Sequence, residues 1–156
     1  HDYGMLRELL RTLIGSGEKT NQRAPRAFAW FALACTKAHG DGCTDDAVAQ
    51  AEQVLADARF AHHPYQLPAQ IALAEIEIAN SRPQAAVDRV EAALALALPE
   101  IGEQHSWVGQ AHAMLAEAQT ALGNPGRAAR EKKLADAIVD AQPPGHPLRL
   151  WISHAR

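Results

Sequence analysis

The sequence repeats itself at an interval that few folds allow. From His63-Pro64-Tyr65 the chain passes through Ala69, Leu73-Ala74-Glu75, Ala79, Pro83, Ala86 and Ala93. Forty-two residues later much of this returns as His105-Ser106-Trp107, Ala111, Leu115-Ala116-Glu117, Ala121, Pro125, Ala128 and Ala135. A third start follows at His146-Pro147-Leu148. Self-similarity with a period of roughly 20–50 residues marks chains that stack one small unit, because a single unit cannot bury its own apolar face. That points to a binding scaffold and leaves its partner unnamed.

The repeating unit is helical. Apolar residues make up 47 % of the 156-residue chain but aromatics only 5 %, so alanine carries much of the core. Alanine is the strongest helix former, its small side chain lets helices approach closely, and β-branched runs are absent. An all-α domain is expected. Met5, Leu6, Leu9, Leu10, Leu13 and Ile14 form the stripe of an amphipathic helix over Tyr3–Ile14, which Gly15-Ser16-Gly17 should end. A second helix is expected from Pro25 to about His39, with Phe28, Phe31, Ala32 and Cys35 inward. A third is capped by Thr44 or Asp45 and runs to about Phe60.

The fourth helix ends near Ala79, and Pro68 limits how early it can begin. The fifth carries Val87, Val90, Leu94 and Leu98 and gives way to a loop over 99–104. The sixth covers about Ser106–Leu122 and the seventh about Arg127–Ala141, separated by the turn Gly123-Asn124-Pro125-Gly126. Residues 148–156 should open an eighth. The units are then a leading helix and loop (1–23), repeats over 24–62, 63–104 and 105–145, and a capping or further helix (146–156).

Leu73-Ala74, Ser81, Ala86, Val90 and Ala93, with their counterparts Leu115-Ala116, Gly123, Ala128 and Ala135, resemble the tetratricopeptide repeat. A weaker match upstream comprises Pro25, Gly42, Ala47, Val48, Ala51, Val54 and Leu55. The resemblance implies a right-handed solenoid of helical hairpins, about three repeats plus flanking helices. The period exceeds the family's usual ~34 residues and looks like that of arrays in kinesin light chains and bacterial signalling proteins. Glu77 and Gln119 stand where an aromatic is usual. By resemblance the first helix of each pair lines a concave groove. Thr36, His39, Glu75, Ile78, Glu117 and Thr120 are therefore expected to set selectivity there. The family's positions for gripping a terminal carboxylate hold Ile71, Glu75, Ala113 and Glu117, the wrong residue types for that mode.

Other features point away from chemistry. Gly15-Ser16-Gly17-Glu18-Lys19-Thr20 has a carboxylate where a phosphate loop needs its lysine. His63, His105 and His146 occupy equivalent positions, so stacking separates them. They read as helix starts, and no metal or cofactor is expected. Trp30, Trp107 and Trp151 should fill seams between units. Arg127, Arg130, Lys132 and Lys133 make a local basic face, most simply a solvated one. The net charge of −3 carries no nucleic-acid footprint, and no apolar run is long enough to span a membrane.

Cys35 and Cys43 are expected as two free thiols in a cytoplasmic protein. A chain starting at His1 without an initiator Met reads as a segment of something longer. The function expected is a non-catalytic protein- or peptide-binding scaffold within a larger bacterial signalling or regulatory protein. The alternative is a homodimerising or small-molecule-sensing regulatory domain of a kinase or transcription regulator.

Overall fold

The computed structural model describes residues 3–19, 25–38, 46–57, 63–64 and 66–144. These form seven helices and no strand: α1 (Tyr3–Lys19), α2 (Pro25–Ala38), α3 (Ala47–Leu55), α4 (Gln66–Ala79), α5 (Pro83–Ile101), α6 (Ser106–Ala121) and α7 (Pro125–Ala141). The chain is all-α over these residues. The expected eighth helix, Trp151, His146 and His39 lie outside them.

Several helix ends differ from the sequence expectation, each for a local reason. α1 continues through Gly15-Ser16-Gly17 to Lys19, because glycine favours a helix end when it takes a left-handed conformation and, among the described residues, the glycines with positive φ are Gly102 and Gly123. α4 begins at Gln66, so Pro68 falls in its first turn, where a missing N–H removes no internal bond. α3 stops at Leu55 rather than near Phe60, with Ala56 closing its last turn. α5 runs on through Pro99 to Ile101 instead of opening into a loop, and ends at Gly102 (φ 77°). α7 starts at Pro125, two residues before the expected Arg127.

Neighbouring helices pack as α1 on α2, α2 on α3, α4 on α5 and α6 on α7. α2 also meets α4, α4 meets α6, and α5 lies against α6. The first core cluster gathers Phe28, Phe31, Leu33, Val54, Leu55, Leu73 and Ile76, with Leu10 of α1. The second gathers Leu67, Ile71, Val87, Val90, Met114 and Leu115. A small third cluster holds Val108, Ala135 and Ile138. Ala69 and Ala72 of α4 face the first cluster and Ala74 the second, each essentially inaccessible to solvent. Trp30 and Trp107 pack at the margins of the first and second clusters.

The outward stripe of α1 is different. Met5, Leu9 and Leu13 are 71 %, 60 % and 52 % exposed, while Leu6, Leu10 and Ile14 pack inward.

The turns after α4 and α6 share one geometry. Ser81 N–H donates to the Ile78 carbonyl (2.9 Å) and Arg82 N–H to that of Glu77 (2.8 Å). Gly123 N–H donates to Thr120 (3.0 Å) and Asn124 N–H to Gln119 (2.9 Å). This is the Schellman closure, with a left-handed residue after the helix: Ser81 at φ 60° and Gly123 at φ 74°. A left-handed residue other than glycine costs about 1–2 kcal/mol. Ser81→Gly is therefore expected to stabilise the protein by about 0.5–1 kcal/mol, offset in part by unfolded-chain entropy. Gly123→Ala should destabilise it by about 1 kcal/mol. Chemical denaturation of both variants checks the pair, and a loss of stability in Ser81→Gly would contradict this account.

Candidate functional site

Four ionisable side chains from four helices form a row: Tyr3 of α1, Lys37 of α2, Glu75 of α4 and Glu117 of α6. α2 packs on α4 and α4 on α6, which brings Lys37 in the last turn of α2 against Glu75 of α4. Lys37 Nζ lies 3.1 Å from Glu75 Oε1, with both side chains partly buried. Burial alone would lower the Lys37 pKa, but the hydrogen bond to Glu75 and the charges of Glu75, Tyr3 and Glu117 outweigh it, so the net shift is upward. The Tyr3 phenol is pushed up by burial and then by the carboxylates of Glu75 and Glu117, against an opposing effect of Lys37.

Glu117 is the member of the row without a direct contact. It takes part in no hydrogen bond or ion pair among the described residues, while Lys37 is engaged by Glu75. Its carboxyl is pushed above the ordinary range first by desolvation and then by the charge of Glu75, with Lys37 acting the other way. Yet the side chain stays accessible to solvent. Lys37 and Glu75 cancel, which leaves the row with one excess negative charge at Glu117.

The structure brings only part of the expected set together. Glu75 and Glu117 meet in the row. Thr36 donates its hydroxyl to the Ala32 carbonyl at 2.9 Å, and Thr120 donates to Ala116 at 2.8 Å, so both donors are spent within their own helices. Ile78 packs against the second core cluster. His39 lies outside the described residues. Lys37 and Tyr3 were missed: the weaker upstream repeat aligns Thr36, one position away, with Glu75.

Glu77 and Gln119, in the usual aromatic position, are both buried and tie down the following turns. Glu77 pairs with Arg82 at 2.6 Å and lies 3.6 Å from Arg89. Gln119 Oε1 accepts from Asn124 Nδ2 at 3.0 Å. Arg89 also donates to Gln70 Oε1 and Glu52 Oε1, clamping α3, α4 and α5. His105 caps α6, its Nδ1 accepting from Trp107 N–H at 3.1 Å, while His112 pairs with Glu131 of α7 at 2.7 Å. Lys132 of the basic face is paired with Asp136 at 2.8 Å.

Among the described residues no three His, Cys, Asp or Glu side chains gather as a metal site. No helix there is long and apolar enough to cross a membrane. The free-thiol expectation is overturned, because the buried Cys35 is disulfide-bonded. The only other cysteine in the chain is Cys43, outside the described residues. Disulfides persist in oxidising compartments, so free thiols no longer argue for a cytoplasmic location. Comparison with protein-family models, curated proteins and solved structures found no match to this chain.

Because folding raises the Glu117 pKa, ionising this group costs stability. The group's contribution is intact below its unfolded pKa and is lost as pH rises through the folded one. Glu117→Gln is therefore expected to melt at a higher temperature than the parent near pH 7. The gap should close as pH falls below 4.5, the ordinary value for the carboxyl. Thermal melts across that range check the sign, and a less stable variant at neutral pH would contradict it.

Proposed function

We propose that this chain is a right-handed solenoid of helical hairpins of the tetratricopeptide type. It acts without catalysis as a scaffold for a basic peptide segment of a protein partner, within a larger bacterial signalling or regulatory protein. Three features support the solenoid. The sequence repeats in step with the pairs α4–α5 and α6–α7, the turns inside these pairs close alike, and the first helices α2, α4 and α6 pack in succession. The observation that carries the binding reading is Glu117, an exposed carboxylate that the fold partly desolvates beside Glu75 and that makes no direct ion pair or hydrogen bond among the described residues. A protein that keeps such a group forgoes stability, a pattern common where a residue serves recognition. An arginine or lysine of the partner supplies the missing charge-assisted hydrogen bond.

The test is fluorescence anisotropy with lysine- and arginine-rich peptide pools against acidic pools of matched length. Basic peptides should bind, less tightly as salt rises, and Glu117→Gln should weaken binding by about tenfold. Lys37→Met should tighten binding, since it frees the Glu75 carboxylate, an outcome that damage to the fold would not produce. Equal binding of acidic pools, or indifference to both substitutions, rejects the reading.

A second reading, self-association, is favoured by the exposed Met5, Leu9 and Leu13 stripe of α1. Each lies one helical turn from the next, giving one continuous apolar seam. Light scattering should then show a mass that rises with concentration and falls back to the monomer in Leu9→Glu. A constant monomer mass excludes it.

A further inference from the structure

A cleft of about 300 Å³ opens between α5, α6 and α7. It shares only α6 with the charged row, and His112 on its wall lies about 140° round that helix from Glu117, so the two sites look in different directions. Leu94 and Leu98 of α5, Val108 of α6, and Leu134 and Ile138 of α7 supply an apolar lining. The volume is at the lower end for small-molecule sites, at roughly 300–1,000 Å³.

The polar groups define what fits. His112 Nδ1 is held 2.7 Å from Glu131 Oε2, with both side chains largely buried. A carboxylate on one ring nitrogen fixes the imidazole's orientation and tautomer. With the Nδ1 proton directed to Glu131, Nε2 is left as an acceptor, and it has no partner among the described residues. Glu103 also lines the cleft and makes no ion pair or hydrogen bond among the described residues. No lysine or arginine lines the cleft. The site therefore offers the His112 and Glu103 acceptors, the neutral amide of Gln104 that can both accept and donate, a negative balance and an apolar lining.

We propose that this cleft binds a small apolar amine, an alkyl or arylalkyl ammonium whose carbon skeleton lies against the leucines. Its ammonium group donates to His112 Nε2 and to the Glu103 carboxylate. A carboxylate ligand of the same shape is repelled by Glu103 and Glu131. A neutral alcohol makes the hydrogen bond without the charge. This site stands apart from the proposed peptide-binding row and does not depend on it.

The test uses the full chain and three probes of matched shape: 2-phenylethylamine, 2-phenylethanol and 3-phenylpropionate. Amide and imidazole resonances are followed by NMR. The amine should produce saturable shifts at His112, Val108 and Ile138, with a dissociation constant of about 0.1–1 mM for so small a ligand. The alcohol should bind roughly tenfold more weakly, and the acid should cause no saturable shift. Glu103→Gln should weaken the amine and spare the alcohol. Leu134→Trp, on the exposed rim, should block both while leaving the circular dichroism unchanged. Glu117→Gln should leave amine binding as it was. Absence of saturation by about 10 mM amine, well above the expected range, overturns the proposal. So does equal response to the acid, or shifts centred on Glu117 instead of His112.

Discussion

How closely α4 can approach its neighbours governs the rest of the molecule. Nine of its fourteen residues are buried, and alanines occupy both sides that face other helices. Helices with ordinary side chains at the contact stand about 8–10 Å apart, and small residues bring them to the near end of that range. The charged row depends on this spacing, since Lys37 and Glu75 approach to 3.1 Å from different helices. A bulky residue in place of Ala72 or Ala74 would push a neighbour away and strain the spacing on which the Lys37–Glu75 contact depends. The alanine-rich composition is thus a statement about geometry as much as about helix propensity.

The repeat offset was legible because it reports on packing. Residues 42 apart do the same job when the contacts around them are the same, as with Leu73 and Leu115, or Glu77 and Gln119. The last pair is instructive. Both are buried polar residues that reach the residue five positions on, yet one does so as an ion pair with Arg82 and the other as a neutral amide contact with Asn124. Position is conserved between the two units while the chemistry is not. Glu75 and Glu117 recur at the same offset.

What the sequence hid depended on distances between repeats of unequal length. Lys37 stands beside Glu75 through the packing of α2 on α4, and the 42-residue offset of residues 63–142 does not lead to it. Tyr3 belongs to α1, outside the clear repeats. Gly15, Gly17 and Pro99 looked like stops, but a glycine in helical conformation costs only about 1 kcal/mol. Pro99 lacks the N–H that would reach the Ala95 carbonyl, a defect that costs about 3 kcal/mol in a helix interior, yet α5 carries it and ends only two residues later at Ile101. The Cys35 disulfide was not legible, because two cysteines in a chain do not indicate their own oxidation state.

The unequal cores have a consequence for motion. α4 contributes to both larger clusters, so it cannot come loose unless both dissolve, whereas α1 borders only the first and α7 packs mainly on the small third cluster. Backbone amides in the middle of α4 should therefore exchange with solvent deuterium only through global opening, and those of the end helices through cheaper local openings. Rigidity is concentrated at the centre of the chain, and the helices carrying Tyr3 and the wall of the cleft are the ones free to breathe.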